Sequence, residues 1–134
     1  MSSEPDKIRK LFEKLLCAPR HRFPAKGQTL IAPQKKQDQG VYIIWNGRVV
    51  YHVGRTTRAR NGLHQRLTAH LRGRSSFTKA LFNRDGDQLR LEYDYQALVV
   101  SNARHRALLE SYATGVLCPR HIGTGESRKP KQRA

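Results

Sequence analysis

Glu110 is the only acid in the segment HRALLESYATGVL, which is otherwise basic or apolar. A lone glutamate in mid-helix is most often a solvated residue. It gains a chemical use only beside a cation such as Mg²⁺, which keeps several waters and takes phosphate oxygens as ligands. Elsewhere the acids are scattered: Glu4, Asp6, Glu13 and Asp38 come early, Asp85 and Asp87 share a turn, Glu92 and Asp94 alternate, and Glu126 lies near the end. No cage of several carboxylates can be built from them, so one-metal chemistry is what the inventory permits. Arg66 and His70 stand four apart in LHQRLTAH, on one face of a helix. There an arginine could clamp a non-bridging phosphate oxygen, and the histidine could bond the phosphate or a neighbouring group. GVYIIWNGRVVYHVGRT adds Tyr42, Tyr51 and His52 on a two-stranded ribbon. A base, a guanidinium and a metal-binding carboxylate are the parts that phosphodiester hydrolysis requires.

The charge points to the same class of partner. The 134 residues hold 26 Lys and Arg against 10 Asp and Glu, a formal +16, with a pI near 10.8. Between Gln39 and Arg84 there is no acid at all. A single-sign tract of this length favours a polyanion, since releasing counterions makes phosphate contacts favourable without any sequence readout. Membranes fit less well, because no basic helix carries an exposed Trp or Phe stripe. No apolar run is long enough to span a bilayer and no signal-peptide pattern appears, so a soluble, cytoplasmic protein is expected. Cys17 and Cys118 lack any metal-ligand spacing and read as packing residues.

These side chains need elements to hold them. Ile8, Leu11, Phe12, Leu15 and Leu16 recur at helical spacing over residues 5–17, with Ser3 and Asp6 as a capping pair. Pro19, Pro24 and Pro33 mark an extended arm. Two strands follow, about Val41–Trp45 and Arg48–Val53, joined at Asn46-Gly47. A two-residue loop would set Tyr42 opposite Tyr51; a three-residue loop would set it opposite His52. The pattern leaves both registers open. Helices are expected from Gly62 to Arg72 and after Ser75-Ser76, the latter packing Phe77, Ala80 and Leu81 inward. LRLEYDYQALVV alternates Leu89, Leu91, Tyr93, Tyr95, Ala97 and Val99 as a third strand. Asn102 caps a final helix that runs to about Leu117 before Pro119. The fold class is α+β: a small three-stranded antiparallel sheet flanked by helices. Residues 1–39 form a helix and arm, 40–122 the core, and 123–134 a basic tail.

Gly40-Val41-Tyr42, His52-Val53-Gly54-Arg55, Arg66 with His70, and Glu110 nine residues before Pro119 together resemble the GIY-YIG nuclease family. The resemblance spans Gly40 to about Ile122. His52 stands where a second tyrosine is usual, and His121-Ile122 where an aromatic and an asparagine are common. The resemblance implies a DNA endonuclease in which Glu110 holds one Mg²⁺ or Mn²⁺ per active site. Tyr42 would position or activate the attacking water, His52 would be its partner base, Arg66 would neutralise charge on the phosphate, and His70 would support it. Arg55, Arg58, Arg60, Arg72 and Arg74 would contact flanking DNA phosphates, and Gly54 would let the substrate approach the backbone. RNA stays open as a substrate, as does a homodimer or partner protein for target recognition. The altered triplet and the absent asparagine motivate a second expectation, a catalytically weak or inactive nucleic-acid-binding module of the same fold. An RNA-associated accessory protein would also suit the composition.

Overall fold

A computed structural model describes residues 3–30, 38–57 and 62–122. Helix α1 (Glu4–Cys17) starts at Ser3, whose hydroxyl accepts from the Asp6 amide at 3.3 Å, and buries Ile8, Phe12 and Leu15. Strand β1 (His21–Arg22) is two residues long. The hairpin pairs β2 (Gly40–Asn46) with β3 (Val49–Arg55), and helices α2 (Gly62–Leu71) and α3 (Ser76–Leu81) follow. Strand β4 (Tyr93–Val99) comes after a 3₁₀ turn and the short helix α4 (Leu89–Glu92), and α5 (Ala103–Leu117) closes the order. Asn102 caps α5 by accepting from the His105 amide at 3.0 Å.

The architecture is α+β with an antiparallel sheet between helices, as expected, but the sheet has four strands in the order β1-β4-β2-β3. The extra strand, β1, pairs His21 with Tyr95 and Arg22 with Asp94. Two residues between prolines carry no alternation to read, so only the neighbouring strand defines them. Helices cover both faces. On one face Tyr42, Ile44 and Tyr95 join Leu63, Leu67, Phe77 and Leu89 in a buried cluster. On the other, Val41, Ile43, Val50 and Val53 pack with Ile8, Phe12, Leu15 and Leu109 from α1 and α5. Each such side chain contributes roughly 1.5–3 kcal/mol when fully buried, which holds the sheet rigidly in the middle. No helix among the described residues is long and apolar enough to cross a membrane.

Several expectations need correction. Leu89 and Leu91 are helical rather than strand residues, and Leu91 is 70% exposed. Asp85 accepts from the Asp87 amide, and Arg90 binds Asp87 and the Pro24 carbonyl. Those contacts wind the chain before the strand can begin. Ala80 is exposed and Thr78 takes the inward place. Cys17 and Cys118 are both exposed, not packed. Each sits where a helix ends, and Cys118 adopts a left-handed backbone (φ 48) that turns the chain back beside β3.

Candidate active site

The hairpin adopts neither expected register. Tyr42 faces Gly54 and Ile44 faces His52, but Trp45 faces Val50, so the pairing slips by one residue past Ile44. The slip leaves Tyr51 as the extra residue of a β-bulge. Strict alternation would put Tyr51 and His52 on opposite faces. Here Val50 and Val53 belong to the α1/α5 side, while Tyr51 packs on Phe82 and Tyr93, and His52 stacks on Phe77 with ring centroids 4.9 Å apart. The bulge thus turns both polar rings to the face that carries Tyr42.

Gly54 has a packing task that the sequence did not show. A Cβ built there would fall on the Tyr42 Oη and Cζ atoms and lie 3.0 Å from His52 Nε2. The space belongs to the tyrosine ring, which could not lie across β3 if residue 54 had a side chain.

Behind Tyr42, α2 supplies His70, which has no solvent exposure. Tyr42 Oη and His70 Nε2 are 2.6 Å apart, and His70 Nδ1 lies 2.6 Å from Ser75 Oγ. Of the two roles open to His70, contact with a neighbouring group is the one its position allows; it does not line the cleft. Burial pushes the Tyr42 phenol up to about 12, and the positive charge of the nearby Arg66 guanidinium works in the opposite direction. Burial likewise holds His52 and His70 well below the usual imidazole value, reinforced in His52 by His70, His121 and Arg66. Both imidazoles are therefore neutral at physiological pH.

His121 arrives from beyond α5. The amides of Arg120 and His121 donate to the carbonyls of Val50 and Tyr51, at 3.1 and 2.9 Å, extending the sheet edge in parallel. This places His121 Nδ1 3.0 Å from His52 Nδ1. The other nitrogen of His52, Nε2, is buried with no hydrogen-bond partner. It lies on the Gly54 side of the ring, close to Tyr42. An unpartnered buried nitrogen is costly, and the ring that carries it lines the cleft.

Glu110 projects from α5 beside the helix's buried stripe of Arg106, Leu109 and Ala113. Arg106 fixes this helix against the sheet by donating to the carbonyls of Thr56, Val100 and Ser101. Glu110 Oε1 accepts from Arg55 Nε at 3.2 Å, with side-chain exposures of 30% and 34%. Arg55, expected to meet flanking phosphate, is therefore also the ion-pair partner of the carboxylate.

Tyr42, His52, Arg55, Arg66, Glu110 and His121 all line one cleft of about 540 Å³. Past Arg55 and Arg66 the surface continues into depressions bordered by Thr57, Gln65 and Ala69, then by His64, Arg72 and Arg74. Arg72 and Arg74 are exposed there. Arg58 and Arg60 lie outside the described residues.

The donor set can be tested against a metal. Among the described residues no three His, Cys, Asp or Glu side chains group closely enough to hold an ion. A closed protein cage of the zinc type does not fit. A carboxylate about 30% exposed, in a cleft with room for phosphate, does fit Mg²⁺, which brings most of its ligands as water.

Sequence reasoning missed Ser75 and Phe77 as supports of the imidazoles. The Ser-Ser pair before a short helix was a legible capping signal, but nothing local told that the same hydroxyl would meet His70.

No protein-family model matches the chain, and no curated protein does. Among solved structures it is similar to the GIY-YIG N-terminal endonuclease domain of UvrC from Thermotoga maritima, bound to its catalytic divalent cation, magnesium. The identity is 25% over 88% of this chain and 96% of that one, with a TM-score of 0.45. A point mutant of the same domain, bound to its catalytic divalent cation, is 24% identical over 88% of this chain and 94% of that one, with a TM-score of 0.46.

Proposed function

We propose that this chain is a metal-dependent endonuclease that hydrolyses DNA phosphodiester bonds with one divalent cation, held by Glu110. The observation that carries the reading is the meeting of a phenol, an imidazole, two guanidinium groups and a carboxylate in a single cleft. When bound, Mg²⁺ or Mn²⁺ would polarise the scissile phosphate and meet the charge of the leaving oxygen. Arg66 and Arg55 donate to the non-bridging oxygens and neutralise the charge that grows there. Tyr42 stays protonated in the resting site and orients the attacking water. As the water oxygen bonds to phosphorus, Tyr42 takes the water proton and passes its own to His70 Nε2. His52, beside Tyr42, serves as its partner base in the tautomer that carries hydrogen at Nδ1 and leaves Nε2 bare. Arg72 and Arg74 hold phosphates further along the strand.

Incubation with supercoiled plasmid and Mg²⁺ or Mn²⁺ should give nicked product. Absence of nicking with either cation, on supercoiled, branched and single-stranded DNA alike, would sink the reading.

A second reading draws on the Arg55–Glu110 ion pair, which satisfies the carboxylate with no cation present. In that case the protein grips nucleic acid without cutting it. Binding would then be salt-sensitive, without turnover, and indifferent to Glu110→Ala.

A further inference from the structure

His70 has both ring nitrogens engaged, Nε2 with Tyr42 Oη and Nδ1 with Ser75 Oγ, each at 2.6 Å. A neutral imidazole has a single N–H. The two contacts must therefore run in one direction: either Tyr42 gives and Ser75 receives, or the reverse. The hydrogen bonds around Ser75 bear on the choice. Thr78 Oγ1 donates to the Ser75 carbonyl at 3.1 Å, so its hydrogen is spoken for. The 3.0 Å contact between Ser75 Oγ and Thr78 Oγ1, in which either hydroxyl could donate, then offers the serine hydrogen an acceptor. Ser75 Oγ also accepts from the Thr78 amide at 3.2 Å. With its hydrogen directed at Thr78, Ser75 accepts from His70, and the imidazole then carries hydrogen at Nδ1 and presents a bare Nε2 to Tyr42.

Tyr42 agrees from the other end. Arg66 lines the same cleft and its positive charge acts on the phenol. A hydroxyl beside a guanidinium turns its oxygen to the cation and its hydrogen away, here toward His70. Ser75, Thr78, His70 and Tyr42 are all nearly or fully buried, so water does not compete for these bonds.

We propose that Ser75 is a positioning residue: by accepting from His70 Nδ1 it fixes the tautomer whose bare Nε2 can take the Tyr42 proton. The proposal rests on the reading of Tyr42 as the group that handles the attacking water. Ser75 also caps α3, so one hydroxyl ties the start of a helix to the proton path of the cleft. Without it the tautomer with hydrogen at Nε2 becomes accessible, and Tyr42 then faces a donor and has nowhere to pass its proton.

The test is long-range ¹H–¹⁵N NMR of the histidine ring nitrogens in the full chain at neutral pH. In the wild type, His70 should show a protonated Nδ1 and a bare Nε2. Ser75→Ala should lose that pattern and Ser75→Thr should recover it. Thr78→Val keeps the serine but frees its hydrogen, and should also shift His70 away from the Nδ1–H form; it serves if Ser75→Ala does not fold. A wild-type His70 protonated at Nε2, or a tautomer unmoved by the substitutions, overturns the proposal. On DNA, Ser75→Ala should lower kcat by ~10-fold or more with little change in KM, and Ser75→Thr should restore it. The expected tautomer in a protein that cuts no DNA would sink the nuclease reading and leave the Ser75–His70 bond assignment standing, so the two failures are distinguishable.

Discussion

Tyr42 lies opposite Gly54 in the hairpin, and its ring fills the space that a side chain on Gly54 would need. The tyrosine's reach toward His70 therefore depends on a missing Cβ on the adjacent strand. Gly54→Ala should force the ring or the strand to move, at a cost of about 1–3 kcal/mol of overpacking. Urea denaturation would measure it, and cleavage should fall in parallel. A Gly54→Ala protein of unchanged stability and activity would show that the ring does not need this space.

Removal of the phenol tests the other end of the same interaction. Tyr42→Phe leaves His70 Nε2 fully buried with no donor, an unsatisfied group that costs about 1–3 kcal/mol. The variant should melt lower than wild type and nick plasmid far more slowly. Full cleavage by Tyr42→Phe would exclude the phenol from the proton path.

Glu110 should separate activity from stability. Its ion pair with Arg55 is one-third exposed, and pairs of that kind contribute about 0–1 kcal/mol. Glu110→Gln should melt within a few degrees of wild type yet lose cleavage by about 100-fold or more. EDTA should abolish wild-type nicking, and added Mg²⁺ should restore it. Equal cutting by Glu110→Gln would remove this residue as the metal ligand.

The buried imidazoles make stability depend on pH. Burial lowers the folded-state pKa of His52, His70 and, less strongly, His121 below the value of 6.5 expected when unfolded. Below that value the unfolded chain binds more protons than the folded one, so stability rises with pH across the window. It should be fully present above about pH 7 and fall progressively as pH drops below about 6.5. Thermal melts over that range would check it, with His70→Gln, which cannot protonate, showing a shallower decline. A flat profile would mean that the three rings are already open to water.

Arg72 and Arg74 lie on the surface that continues from the cleft. Each duplex phosphate that a basic side chain neutralises adds about 0.9 to the steepness of log K against log salt. The Arg72→Ala/Arg74→Ala double variant should therefore bind more weakly and show a slope smaller by roughly 2. An unchanged slope would place the strand elsewhere.

Most of the fold is legible in the residues. The leucine spacing of α1 and α2, the caps at Ser3, Ser75 and Asn102, and the Asn46-Gly47 break lie within a few positions of the structures they specify. The start of β4 was not legible, because Leu89 and Leu91 alternate like strand residues. What winds them into a helix is Arg90 reaching the Pro24 carbonyl, 66 positions away. β1 was missed for a related reason, since what defines it is its pairing with the distant β4.

The sequence by itself determined the chemical inventory: one usable carboxylate, a guanidinium and an imidazole on one helical face, and a basic tract without acids. It also determined the order of the elements that carry them, since periodicity and capping act over a turn or a pair of strands. Tertiary structure alone decided which partners meet. The bulge at Tyr51 arises where Phe77 and Phe82 of α3 and its C-cap, and Tyr93 of β4, offer places for two adjacent rings on one face. The contacts of His121 with His52, of Arg55 with Glu110 and of Ser75 with His70 likewise depend on how packed elements sit in space. A single residue of register separates a Tyr42 that meets this site from one that does not, and no local pattern in the chain encodes that choice.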